Sequence, residues 1–127
     1  MISSQLEIIL NKAIRKANDL KHEFLTLENV LYFLVDDADV KKVLEDCGLD
    51  LDKLRQELSE FVDNDDNFSI LTDEEIEELS KEQFSNDEMR RIAKENGVLY
   101  QPEISLTLQR IIQRAALHVQ SSGKKAI

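Results

Sequence analysis

The chain has 127 residues, the size of one ordinary domain, and a chain of that length buries roughly two-thirds of its unfolded surface without disulfide or metal. Three glycines and one proline are too few for the many hairpins of a sandwich or barrel, while Leu, Ile, Glu, Lys, Gln and Ala dominate and favour helix. The composition predicts an all-α domain.

The formal net charge is -10. Between Glu57 and Glu95 there are 14 acids and 4 bases, and the flanks hold 12 of each, so the excess sits in one central segment. An acidic surface repels phosphates, which argues against nucleic acid as a partner. The longest apolar run, Val30 to Val35, is far too short to cross a bilayer. No basic stretch followed by an apolar one opens the sequence, so no signal peptide is expected. Cys47 is the single cysteine, which rules out an intramolecular disulfide and fits a reducing cytoplasm.

In chain order, Ser4 with Glu7 reads as a capping box ahead of a helix over about Gln5–Leu20. Leu6, Ile9, Leu10, Ala13, Ile14, Ala17 and Leu20 form its apolar face. Thr26 is the next N-cap, with Leu25 placed to staple onto Val30. The helix behind it is apolar almost all round and is expected to be the central, most buried one. Asp37 or Asp39 caps a short third helix with Val40, Val43, Leu44 and Cys47 facing in, and Gly48 stops it. Asp50 caps a fourth helix with Leu51, Leu54, Leu58 and Phe61 on one side.

Asp63 to Asn67 holds no apolar residue and reads as a loop. Two surface helices are expected after it, capped by Thr72 with Glu75 and by Ser85 with Glu88, the second ending at Asn96-Gly97. Pro102 breaks the chain, and a last helix is expected over about Ile104–Gln120 with Leu108, Ile111, Ile112, Ala115 and Val119 inward. A shift of 102 lays Leu6, Ile9, Leu10, Ala13 and Ala17 onto those five residues, which favours an internal duplication over a coincidence of helical stripes.

The segment Ser4 to Val35, with its His22-Glu23-Phe24-Leu25-Thr26 junction and Glu28, resembles the N-terminal repeat domain of Clp ATPases. The stretch from Leu44 through Cys47-Gly48 to Leu58 is similar too. Gln109 to Ala115, followed by His118-Val119-Gln120-Ser121-Ser122-Gly123, resembles the ClpA-type members in particular. The resemblance implies an all-α helical bundle of two pseudo-symmetric four-helix repeats. On that pattern residues 1–62 form the first repeat, 63–103 an acidic linker or insertion, and 104–127 the start of a second repeat, incomplete in this chain. It further implies a monomeric domain on a hexameric, ATP-driven unfoldase that feeds the ClpP peptidase and docks the adaptor ClpS and some substrates. Glu23 and Glu28 match carboxylates that meet a basic residue of ClpS, and Ser105 and Arg110 match a hydroxyl residue and an arginine near the same interface. Read from the residues alone, Glu28 complements the positive end of a helix and Arg110 is a solvated charge. Two departures from the family pattern stand out: the linker is longer and carries two expected helices, and the chain ends before a second repeat would. An acidic insertion could cover the adaptor face, and the early end points to an excerpt or to added helices that replace missing ones.

No catalytic constellation accompanies these residues, and no cofactor is expected. Gly48, Gly97 and Gly123 are isolated, so none opens a phosphate-binding loop. Cys47 lies on an apolar stripe and reads as a buried structural thiol rather than a nucleophile. Two distant histidines and one cysteine give no zinc spacing. Asp63, Asp65, Asn67, Ser69 and Glu74 do occupy positions 1, 3, 5, 7 and 12 of a calcium loop. Position 6 is Phe68, where a glycine should allow the sharp turn, so a solvated linker is the expectation. The sequence therefore predicts a non-catalytic docking domain. Its alternatives are a calcium-responsive helical module and a stand-alone adaptor.

Overall fold

The first helix, α1 (Ser4–Asp19), buries Ile9, Ala13 and Ala17, one residue per turn on the predicted face. Ser4 is already helical, so it is not the cap that the sequence predicts. The computed structural model describes residues 4–122, with side chains through Leu117. After α1 the chain turns sharply at Lys21, whose φ of 62 is left-handed. The Lys21 amide bonds to Asn18 O and the His22 amide to Ala17 O, closing the end of the helix. Glycine usually takes such a position, and a side-chain-bearing residue there costs about 1–2 kcal/mol.

A two-residue strand, β1 (Phe24–Leu25), leads into α2 (Leu27–Leu34). Thr26 caps α2 as predicted, and α2 packs against α1 and α4 (Leu51–Val62). It is less buried than expected. Val30 is covered, but Leu27, Leu31, Tyr32, Phe33 and Leu34 are only half-buried, because these two neighbours leave part of its surface open. Asp37 caps α3 (Ala38–Asp46), and Gly48, at φ 81, lets the Gly48 and Leu49 amides bond back to Glu45 O and Leu44 O. The α3 stripe corrects the prediction most clearly. No residue of α3 is buried, Val43 is 60% exposed, and Cys47 is an exposed free thiol rather than a core residue. Asp50 caps α4, which buries Leu58 and Val62, while the predicted Phe61 lies at the surface.

A single 3-10 turn covers Asp65–Asn67 within the acidic segment. It precedes α5 (Asp73–Gln83) and α6 (Asp87–Glu95). The Thr72–Glu75 capping box forms as predicted. The cap of α6 is Asn86, which accepts from the Met89 amide, one residue past the predicted Ser85. The chain then enters β2 (Glu103–Ile104) and α7 (Leu106–Ser122). The fold is all-α, with β1 and β2 as a short parallel pair, Phe24 opposite Glu103 and Leu25 opposite Ile104.

Two apolar clusters hold this arrangement. The larger joins α1, β1, α2 and α7 through Ile9, Ala13, Ala17, Leu25, Val30 and Leu108, with Ile112 packed against it. Ile111 faces out, contrary to prediction, and Val119 lies outside the described side chains. The smaller joins Leu71, Ile76 and Tyr100, with Leu79 at its edge. Burying apolar surface near 25 cal/mol per Å² makes the first cluster the main source of stability. No described helix is long and apolar enough to cross a membrane.

Candidate functional site

The junction between α1 and α2 runs through the middle of a small three-stranded arrangement. On one side, Ser69 to Leu71 approaches antiparallel to Lys21–Glu23. The Leu71 amide donates to Lys21 O at 2.8 Å, the Glu23 amide to Ser69 O at 2.9 Å, and His22 bridges Ile70. On the other side, β2 runs parallel. The Glu103 amide donates to Glu23 O and the Ser105 amide to Leu25 O, both at 3.0 Å. Backbone groups of the junction are thus satisfied from both flanks.

Glu23 is half-buried, and its Oε1 accepts from the Ser69 hydroxyl at 2.7 Å. Thr26 closes the junction. Its Oγ1 accepts from the Asn29 amide, while its own amide and hydroxyl donate to Asn29 Oδ1 at 2.9 and 2.8 Å. Glu28 lies in the first turn of α2, half-buried, where a carboxylate favours the positive helix end. Ser105 caps α7, its Oγ accepting from the Leu108 amide at 3.3 Å. The β1–β2 register therefore sets Thr26 beside Ser105, so α2 and α7 start next to each other. Arg110 is exposed on α7. The structure places Glu23 immediately before β1 and Ser105 immediately after its partner β2. No hydrogen bond or ion pair among the described residues ties Glu28 or Arg110 to them.

Beneath this surface lies His22, fully buried and stacked on Phe68 with ring centroids 3.9 Å apart. Its Nδ1 faces Asn29 Nδ2 at 3.2 Å. Because Asn29 Oδ1 is taken by Thr26, the Asn29 amide nitrogen donates and Nδ1 accepts, which requires neutral imidazole with its proton on Nε2. Burial lowers the His22 pKa below its ordinary 6.5; Asp65 opposes that shift and Lys16 adds to it. The Tyr100 hydroxyl donates to His22 O at 2.6 Å and lies 3.2 Å from Ala17 O. Burial pushes the Tyr100 phenol well above its usual range. Asn18 completes the support. It donates to Ile14 O and Tyr100 O and accepts from the Leu99 and Tyr100 amides, so its amide group is fully used.

The sequence names Glu23, Glu28, Ser105 and Arg110 as expected docking residues and Ser69 only as a calcium-loop position; it does not point to Asn18, Asn29 or Tyr100. Asn29 carried a local signal, since it stands three residues after the Thr26 cap, where Glu or Gln is the familiar partner. Asn18, Tyr100 and the Ser69–Glu23 bond act across long sequence separations, and no local pattern marks those contacts.

The calcium-loop spacing does not become a loop of ligands. Asp63 is 3.7 Å from Lys16, Asn67 donates to Phe61 O, and Ser69 donates to Glu23. Phe68 has extended backbone and spends its ring on His22. Among the described residues no group of three or more His, Cys, Asp or Glu is placed to hold a metal ion. A cleft of about 740 Å³ opens between the end of α1, α5 and α6. Lys21, Arg90, Arg91 and Lys94 line it together with Asp19, Asp73, Glu77 and Asp87, so its charges cancel and select neither sign of ligand.

A family model described as the Clp repeat (R) N-terminal domain matches residues 1–127. A "ClpA homolog protein" from Fuscovulum blasticum is 33% identical over 125 residues, which is 98% of this chain and 13% of that protein. The chain thus spans a small part of the length of that relative.

Proposed function

Because the chain belongs to the Clp repeat N-terminal domain family, we propose that it is the docking domain of a ClpA-type, ATP-dependent unfoldase. In this reading α1 to α4 form the first repeat, the acidic segment is an insertion, and α7 opens the second. The domain is non-catalytic. It receives a ClpS-type adaptor and protein substrates in the cytoplasm, and the hexameric parent passes them to ClpP.

The observation that carries this reading is the presentation of Glu23. A half-buried carboxylate is held on a junction braced by backbone bonds on both sides, where α2 and α7 begin together. A fixed anion with one oxygen left over suits a basic side chain of a partner. Glu28 adds a second carboxylate in the first turn of α2, and Ser105 and Arg110 contribute from the α7 side.

Reversing both charges, Glu23→Lys with Glu28→Lys, places like charges opposite the basic residue. Affinity for the host's ClpS should fall at least about tenfold, equivalent to about 1.4 kcal/mol. Helicity by circular dichroism should survive, because the α1–α2–α7 cluster is untouched. Unchanged affinity with intact helicity would refute the proposed site.

A further inference from the structure

The acidic insertion touches the α1–α2 junction that carries Glu23 directly. Phe68 stacks on His22, the Leu71 amide reaches Lys21 O, and Ser69 holds Glu23 twice. Its carbonyl accepts from the Glu23 amide at 2.9 Å and its hydroxyl donates to Oε1 at 2.7 Å. We propose that Ser69 is a positioning residue for docking, so that the insertion pre-organises the Glu23 carboxylate for a partner's basic side chain rather than covering it.

The chemistry favours this direction over blockage. A carboxylate offers two oxygens and about four lone-pair sites, so one hydroxyl donor leaves Oε2 free. A neutral donor does not cancel the charge that attracts a cation. Phe68 directs its ring onto buried His22, and no described hydrogen bond or ion pair carries the segment over Oε2. What the hydroxyl removes is freedom. Glu is among the residues that lose most rotamer entropy when fixed, and here that cost is met on folding, before a partner arrives.

The inference rests on the docking reading, and its test separates the two. Titration of the host's ClpS should show Ser69→Ala weakening affinity about two- to tenfold, the range for immobilising one rotamer-rich side chain. Ser69→Thr keeps the hydroxyl and should restore it. In a Glu23→Ala background Ser69→Ala should have no further effect. NMR side-chain couplings of Glu23, measured without partner, should report one rotamer in the wild-type domain and averaging in Ser69→Ala. Tighter binding by Ser69→Ala would mean the hydroxyl competes with the partner. An equal loss in the Glu23→Ala background, or unchanged couplings, would mean it does not position Glu23. Either result overturns the inference. If the Glu23→Lys, Glu28→Lys reversal weakens binding while Ser69→Ala does not, only the inference falls. If the reversal has no effect, the docking reading falls and the inference with it.

Discussion

At the scale of single residues, His22 is the most consequential group: the sequence marks it only as part of the junction that carries the family resemblance, and its buried role comes from the structure. Neutral imidazole is required by its bond with Asn29, and that same asparagine completes the Thr26 cap of α2. Protonation would set an N–H against an N–H and add a charge inside the fold. The folded pKa lies below 6.5, so the unfolded chain binds more protons over the window between the two values. The stabilisation that follows is fully present above pH 6.5 and is lost as pH falls through that window. Asp65, the one charge raising the folded pKa, narrows the window, and Lys16 widens it. Urea unfolding at pH 7.5 and 5.5 checks this: wild-type protein should lose more stability between the two than His22→Gln. The substitution is costly at both pH values, but it removes the titrating group. Equal losses would show that His22 does not set the acid sensitivity.

At the scale of elements, what was legible in the sequence was local. Thr26, Asp50 and Thr72 cap their helices where the pattern puts them, and Asp37 is the cap of the two candidates for α3, because a cap involves residues only two or three apart. Ser85 lost its role to Asn86 because two good caps stand side by side, and the backbone took the second. Burial was less legible. Periodicity tells which side chains share a face but not whether another element covers it, and so Val43 and Cys47 lie exposed on a stripe that read as core. The two helix-stopping glycines give a clean comparison. Gly48 and Gly97 have φ of 81 and 79, and an added Cβ would meet nothing within 4 Å at either. Any cost of alanine is therefore conformational, about 1 kcal/mol at each. Gly48 closes α3 and Gly97 closes α6, and neither helix buries a residue. Gly48→Ala and Gly97→Ala should therefore each chiefly speed amide exchange in the helix that they close. A full loss of about 1 kcal/mol in urea unfolding from either would show that its helix unfolds together with the rest.

At the scale of the whole molecule, the acidic segment is held by backbone pairing, a few polar side chains and one aromatic stack rather than by a broad apolar face. Its own cluster is Leu71, Ile76 and Tyr100. Its ties to α1 and the junction include the Asn18 amide, the Tyr100 hydroxyl, the Phe68 ring on His22, the flank at Ser69–Leu71 and the β1–β2 pairing, with an exposed Lys21–Asp73 pair that adds at most about 1 kcal/mol. The candidate site depends on this attachment, since Ser69 belongs to the segment and Glu23 to the junction. That dependence was invisible in the sequence, where residues 23 and 69 are joined by no repeat or spacing rule. Asn18 tests it. Asn18→Ala strands the buried Tyr100 amide and the part-buried Leu99 amide, and each such loss costs about 1–3 kcal/mol. A total of about 2–6 kcal/mol is expected from urea unfolding. Hydrogen exchange locates where it falls. If the segment is a separate cooperative unit, α5 should lose protection in Asn18→Ala while Ile9, Ala13 and Ala17 of α1 keep theirs, because their apolar contacts do not involve residue 18. Parallel loss in α1 and α5 would mean that the two clusters open as one, and that the segment is part of the core rather than an attachment to it.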